Sequence, residues 1–213
     1  MYQPPQFRED RLDVMQALIA AHPLGLLISA NVDGILANPI PFQLDAARSA
    51  KGTLQAHLSR ANPQWKALSE GASALVVFQG AQSYVTPSWY ETKRETGKVV
   101  PTWNYAIVQI RGTVRVMDDA DWLHGQIRRL TEMQEGTRSE PWAVDDAPRA
   151  FLDAQIKGIV GLEIEITEID GKWKVSQNRP EADRSGVAQG LDTETSWSAA
   201  DMAELVRLYG RVE

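Results

Sequence analysis

With 213 residues, 43% of them hydrophobic, the chain has material for one sizeable core: one domain, or one domain with a small appendage. A net charge of -6 argues against a general nucleic-acid binder, and the absence of cysteine excludes disulfides, thiol nucleophiles and thiolate metal sites. The lack of cysteine is compatible with the cytoplasm; no basic leader precedes an apolar run, and no run approaches membrane-spanning length.

In chain order, residues 8–22 predict a helix with Leu12, Met15, Leu18 and Ile19 on one stripe, ended by His22-Pro23. Leu24 to Asn31 reads as a buried strand, Asp33-Gly34 as a hairpin turn, and Ile35 to Leu44 as the returning strand. Pro39 and Pro41 sit two apart, so both missing N–H groups fall on one side. That predicts an edge strand, a bulge or a close approach by another molecule.

After a loop over 45–52, the stretch from Gly52 to Lys66 reads as a strand running into a helix. Leu54, Ala56 and Leu58 alternate with Gln55, His57 and Ser59. Asn62 suits an N-cap and Pro63 the first helical position of a helix reaching about Gly71. Arg60 and Lys66 lie close by, and no acid occurs between Asp45 and Glu70. A helix start with nearby cations suits an anion, most simply a phosphate monoester held by His57, Ser59, Arg60, Asn62 and Lys66. The plain alternative is a capped helix with a solvated Arg60.

Further on, Ser73 to Gln79 is an apolar strand, Ser83 to Tyr90 is extended, and Glu91 to Val100 reads as a mobile loop around Gly97. Trp103 to Met117 is the longest strand. Trp103, Tyr105, Ile107 and Gln109 take one face, Asn104, Ala106, Val108 and Ile110 the other, with a bend or bulge at Gly112. Residues 118–135 predict a helix with Trp122, Ile127, Leu130 and Met133 on its core face; a loop and a short helix over 148–157 follow. Gly158 to Ile169 reads as a strand with Glu163 and Glu165 outward, Asp170-Gly171 as a second hairpin turn, and Lys172 to Gln177 as the strand after it. Ser198 caps a last helix carrying Met202, Leu205, Val206 and Leu208.

Six or seven strands, mostly joined by hairpin signals, predict a mainly β, α+β fold: a closed or nearly closed antiparallel barrel with peripheral helices. No Gly-x-Gly-x-x-Gly or Gly-x-x-x-x-Gly-Lys stretch supports a dinucleotide or nucleoside-triphosphate site. The three histidines fall in no metal-ligand spacing, and no metal is expected. Seven tryptophans leave room for a flat ligand or a subunit interface. Trp103, Asn104 and Tyr105 either stack on a planar ring or pack on core aromatics. Lys172, Lys174, Ser176 and Asn178 are either a solvated face or a second basic edge near a ligand. His57 is the best acid–base candidate, and no catalytic residue is assigned.

Several stretches together resemble the PaiB-type family of FMN-binding negative transcriptional regulators. They are Met1-Tyr-Gln-Pro, His57 to Lys66, Phe78-Gln-Gly80, Tyr84 to Tyr90, Val100-Pro-Thr-Trp-Asn-Tyr105, Lys157-Gly-Ile, and Gly171-Lys-Trp-Lys-Val-Ser-Gln-Asn178. The resemblance covers residues 1–190, with 191–213 as a C-terminal helical extension. It implies an FMN-binding split β-barrel, similar to pyridoxamine-phosphate oxidases, working as a homodimer with FMN in a cleft between subunits. The phosphate would lie by the strand-to-helix turn. The ring would lie against Trp103 and Asn104, with Lys174 and Gln177 closing over it. A flavin-dependent reductase or oxidase using the same cleft is the alternative. No basic recognition helix appears, so direct DNA binding is not expected. After Ala37 the family pattern is Thr-His-Leu-Pro, whereas this chain has Asn38-Pro-Ile-Pro41.

Overall fold

The computed structural model describes residues 1–31, 34–68 and 71–212. The strands are β1 (Arg8–Glu9), β2 (Leu24–Asn31), β3 (Gly34–Pro41), β4 (Gln43–Asp45), β5 (Thr53–Ser59), β6 (Ser73–Val85), β7 (Thr102–Met117) and β8 (Ile159–Lys174). The helices are α1 (Leu12–Ala21), α2 (Gln64–Ala67), α3 (Glu91–Thr96), α4 (Ala120–Glu135), α5 (Arg149–Lys157), α6 (Glu181–Asp192) and α7 (Ala199–Gly210). The architecture is α+β, as expected. The sheet order is β3-β2-β6-β7-β8-β5-β4, with β1 also on β8. β3 pairs antiparallel with β2 alone and forms an edge, where Pro39 and Pro41 need no ladder partner for their missing N–H groups. The hairpin turn expected at Asp33-Gly34 involves Asp33, which with Val32 lies outside the described residues.

The chain divides into two compact units. One comprises 1–21, 79–108 and 170–213; the other comprises 22–78 and 109–169. In the second unit, the inward residues Leu27, Leu54, Ala56, Leu58, Val76, Ile110, Leu162 and Ile164 are buried, and Phe42 meets Phe78 edge to face at 5.7 Å. In the first unit, Met15, Ile19, Val85, Ala106, Trp173, Val187, Leu191, Met202 and Val206 are buried. Among the described residues no helix is long and apolar enough to cross a membrane.

Several elements differ from the sequence expectation, each for a local reason. The first helix starts at Leu12, because Arg8 and Glu9 extend to pair with Lys172 and Gly171. The 35–44 run splits at the buried Phe42, after which β4 pairs with β5 instead of β2. Glu91 to Thr96 is a helix, not a mobile loop. Gly97 (φ 67°) is its left-handed C-cap and donates its N–H to Lys93 O at 3.1 Å. Burial alternation keeps its phase through Gly112, so no bulge occurs there. A Cβ at Gly112 would lie 2.3 Å from Glu165 O, so the glycine serves close approach instead.

No hairpin forms at Asp170-Gly171. A two-residue type I′ turn needs φ > 0 at both central residues, and Gly171 is not in that region. β8 runs straight through it. A side chain at Gly171 would collide with Met15 and with Glu9 O. On α4 the buried positions are Leu123 and Gln126, while the expected Met133 is exposed. Glu163, expected outward, is buried. It accepts from Gln55 at 3.1 Å and pairs with Arg48 at 2.8 Å and Arg115 at 3.4 Å. Ser198 does not cap α7 with its side chain. Its hydroxyl accepts from Gln82 N at 2.7 Å and donates to Gln82 O at 2.6 Å, clamping β6. The stripe of α7 is Met202, Ala203 and Val206, with Leu208 exposed.

The first unit is tied by a buried carboxylate. Glu9 accepts from Arg11 N and Nε at 2.9 and 2.8 Å, from Arg11 Nη2 at 2.6 Å and from the Tyr209 hydroxyl at 2.6 Å. Burial alone would raise its pKa. The hydrogen bonds from Arg11 and Tyr209 outweigh that and bring it from the ordinary 4.5 down to about 2. A carboxylate with a depressed folded-state pKa contributes stability that is complete above its unfolded value. That stability is lost as pH falls through the folded one. Urea midpoints measured from pH 6 downward should therefore fall between pH 4.5 and about 2. In Glu9→Gln the fall should be shallower, and equal slopes for the two proteins would exclude this group as the cause.

Candidate functional site

The expected site residues fall in two groups, one in each unit. In the second unit, β5 delivers His57 and Ser59, and the turn into α2 delivers Arg60, Asn62 and Lys66. Strand alternation puts Gln55, His57 and Ser59 on one face, as predicted. α4 covers much of that face. Gln126 Oε1 lies 2.8 Å from His57 Nδ1, and Arg129 donates to Gln55 Oε1 at 3.0 Å. The Trp122 ring packs on Gly161, which is paired with His57 across the ladder; a Cβ there would be 2.2 Å from the indole.

Arg60 is held in place by the chain itself. Its Nε donates to Lys157 O at 3.1 Å and one Nη2 proton to Ile159 O at 2.8 Å. Both terminal nitrogens also reach the carboxylate of Asp118, just before α4. That hydrogen bond holds the Asp118 carboxyl below its usual range, against a smaller opposing effect of burial. The acid-free stretch around Arg60 is real in the sequence, but the fold supplies an acid from a distant segment.

α2 is a single turn, with Pro63 rather than Asn62 in the cap position. Asn62 instead forms a local turn, its Oδ1 accepting from Gln64 N at 3.0 Å. Ser59 Oγ accepts from Ala61 N at 3.3 Å. The Lys66 ammonium lies 5.7 Å from the Trp65 ring centroid, and Trp65 Nε1 donates to Arg60 O at 3.0 Å. Sequence reasoning missed Gln64. Fully buried, it donates to Leu27 O at 3.0 Å and Ser29 Oγ at 3.2 Å, and accepts from Asn38 at 2.9 Å. Asn38, where the chain departs from the family pattern, is thereby committed to the turn.

In the first unit, β7 and the end of β8 bring Trp103, Asn104 and Lys174 together. Lys174 Nζ donates to Trp103 O at 2.6 Å and to the Thr102 hydroxyl. Asn104, buried, donates to Ser176 Oγ at 2.9 Å. The Trp103 indole is half exposed, meets Tyr84 edge to face at 6.1 Å and donates to Gln82 at 2.9 Å. Gln177 turns back on its own loop, accepting from Val175 N at 2.8 Å and donating to Trp173 O at 2.5 Å. Sequence reasoning did not single out Thr102 or Arg179 beside this group.

Residues 1–168 match the family described as "Putative FMN-binding domain". The chain belongs to that FMN-binding family. The cofactor is accordingly a flavin, consistent with FMN. This family member is 36% identical to an uncharacterized protein of Emericella nidulans, covering 100% of this chain and 99% of that one. It is 29% identical to the Bacillus subtilis protein named "Protease synthase and sporulation protein PAI 2", over 97% and 96% of the two chains. Among solved structures, an FAD and heme binding protein from Mycobacterium smegmatis aligns with a TM-score of 0.58 at 20% identity, covering 78% of this chain and 73% of that one. The shared fold is the antiparallel split β-barrel.

The donor chemistry in this FMN-binding domain fits the cofactor. Arg60 retains one Nη1 proton beyond its four bonds to Lys157 O, Ile159 O and Asp118, and Asp118 competes with any anion placed there. The exposed Trp103 face and the neighbouring Lys174 supply an aromatic surface and a cation in the first unit.

Proposed function

We propose that this chain is an FMN-binding split-barrel protein acting as a PaiB-type negative transcriptional regulator, a cytoplasmic homodimer with flavin between its subunits. The observation that carries the reading is the family match over residues 1–168, together with likeness to the PAI 2 protein along nearly the whole chain. Residues 1–190 carry the flavin and 191–213 form an extension. The 5′-phosphate is held by Arg60, Ser59, His57, Asn62 and Lys66; the ring lies on Trp103 and Asn104, near Lys174 and Gln177. The regulator acts without presenting α4 to DNA. Arg128 of that helix is paired with Asp145 at 2.9 Å, Arg129 is turned to Gln55, and the helix also carries Asp121, Glu132 and Glu135.

The test compares FMN with riboflavin, which lacks the phosphate. Charge-assisted hydrogen bonds contribute roughly 1.5–3 kcal/mol each. Arg60→Ala should therefore weaken FMN binding roughly 10- to 100-fold and leave riboflavin affinity unchanged. Unchanged FMN affinity in this variant would remove the phosphate from the turn.

One observation favours a second reading, a flavin-dependent oxidoreductase. Beside Trp103 lies an open cavity of about 270 Å³ lined by Gln82, Tyr84, Trp103 and Trp197, wide enough to admit part of a planar molecule. Bound FMN would supply electron transfer there. Steady oxidation of a reduced nicotinamide by the FMN-loaded protein would establish this reading; its absence would leave the regulator alone.

A further inference from the structure

The first unit also holds a smaller cavity, of about 50 Å³, walled by Thr102, Asn104, Lys174, Ser176, Asn178 and Arg179 over the ring of Phe7. A water in the liquid takes roughly 30 Å³, so the space suits one oxyanion group and is far too small for a flavin ring. Its electrostatics run against the rest of this acidic chain. Lys174 and Arg179 line the cavity, and Lys172 precedes Lys174 by two residues on β8; burial, and then the charges of Lys172 and Arg179, push the Lys174 ammonium below its usual pKa.

None of the three has a carboxylate partner among the described residues. Lys172, buried, has its ammonium beside two aromatic faces, Tyr2 and Tyr105, each 5.4 Å to the ring centroid. The Arg179 guanidinium lies 4.8 Å over Tyr90. The buried acids of this unit are committed elsewhere. Glu9 serves Arg11 and Tyr209, and Asp183 accepts from Thr92 N and Oγ1, both at 2.9 Å. Gathering one buried and two half-buried cations without a counter-charge is costly unless something anionic completes the site.

The wall is also built for hydrogen bonding. Ser176 is held at φ 65°, a left-handed conformation that a serine seldom adopts. Strain of this kind gathers at ligand clamps. Lys174 uses two of its three N–H groups on Trp103 O and Thr102, leaving the third free of those bonds.

We propose that this cavity binds the oxyanion headgroup, phosphate or carboxylate, of a small molecule, with Lys174 and Arg179 supplying charge and Thr102, Ser176 and Asn178 supplying hydrogen bonds. The rest of the ligand lies outside the cavity. This site stands apart from the phosphate contacts at Arg60 and does not depend on them. Two molecules can present such a group: a second, acidic ligand, or, in place of the Arg60 contacts proposed above, FMN through its 5′-phosphate.

The experiment titrates inorganic phosphate into the flavin-free full chain by calorimetry, at roughly 0.15 M ionic strength so that diffuse attraction is screened. The wild type should bind phosphate. Lys174→Met should lose at least roughly tenfold in affinity at one site, as expected for a charge-assisted contact. Arg179→Gln, which retains the main chain of the loop, should lose a similar factor, and Arg60→Ala should retain the site. Circular dichroism on each variant separates misfolding from loss of binding, and Arg179→Gln serves if Lys174→Met does not fold. Repeating the titration on FMN-loaded and riboflavin-loaded protein distinguishes the sources. Blockage by FMN but not riboflavin assigns the group to the flavin; binding in both assigns it to a second ligand. The proposal is overturned if the wild type does not bind phosphate, if folded Lys174 and Arg179 variants bind it unchanged, or if Arg60→Ala alone abolishes binding.

Discussion

Replacing Gly186 with alanine should lower the melting temperature by roughly 6–12 °C. α6 packs its glycines against Trp89, at the end of a 3-10 turn over Pro87–Trp89. A Cβ at Gly186 would stand 2.0 Å from Trp89 O, a main-chain atom that cannot rotate away. Overpacking of this kind costs about 3 kcal/mol, and each kcal/mol moves the melting point of a chain this size by roughly 2–4 °C. At Gly190 the obstacle is the Trp89 ring, 2.3 Å from a built Cβ. The two positions should therefore respond differently to a second change. Trp89→Leu should recover much of the loss in Gly190→Ala and little of it in Gly186→Ala. A wild-type melting temperature for Gly186→Ala, or equal recovery at both positions, would contradict the packing described here.

The same glycines explain why α6 was not legible in the sequence. Glycine is a poor helix former, at roughly 1 kcal/mol below alanine, so a segment with Gly186 and Gly190 reads as irregular chain. The helix exists because tertiary contact rewards the missing side chains, and Trp89 lies almost one hundred positions earlier. Asp170-Gly171 fails in the opposite direction. The pair has turn chemistry, yet Gly171 lies in the strand paired with Glu9, and it is glycine because Glu9 and Met15 come too close for any side chain. Where alternation alone decides, the reading succeeds. The buried face of Asn104, Ala106, Val108 and Ile110 follows from period two, since one-sided burial fixes the face of every residue, whereas Leu24–Asn31, read as a buried strand, alternates and leaves Leu24 and Leu26 exposed.

Charges were harder to read than apolar residues, because their partners are distant. Glu163 reads as outward by alternation, but Arg48 and Arg115 arrive from other segments and make its burial tolerable. Asp118 reaches Arg60 in the same way. The candidate site was legible as residue types and as local strand-to-helix geometry. The compensation of each charge was not, which is why the uncompensated cations around Lys174 became visible only in the folded chain.

Gln64→Leu should destabilise the second unit by about 3 kcal/mol, read as a lower urea midpoint. Leucine matches the volume and keeps the site apolar, so the cost comes from the groups left behind. Leu27 O and Ser29 Oγ lose a donor, and the Asn38 amide loses its acceptor. Each buried polar group left unpaired costs roughly 1–3 kcal/mol, and partial exposure of Asn38 on its edge strand keeps the total at the low end of the summed range. Gln64→Glu should be no better, since its carboxylate cannot donate to Leu27 O when ionised. Gln64 fixes the one-turn α2 to β2 and β3 and so positions Arg60 and Asn62. If the phosphate lies at that turn, Gln64→Leu should also narrow the preference for FMN over riboflavin in protein that is still folded. Preserved stability would show that the turn is held by something other than this amide. Preserved discrimination with reduced stability would place the phosphate away from the turn.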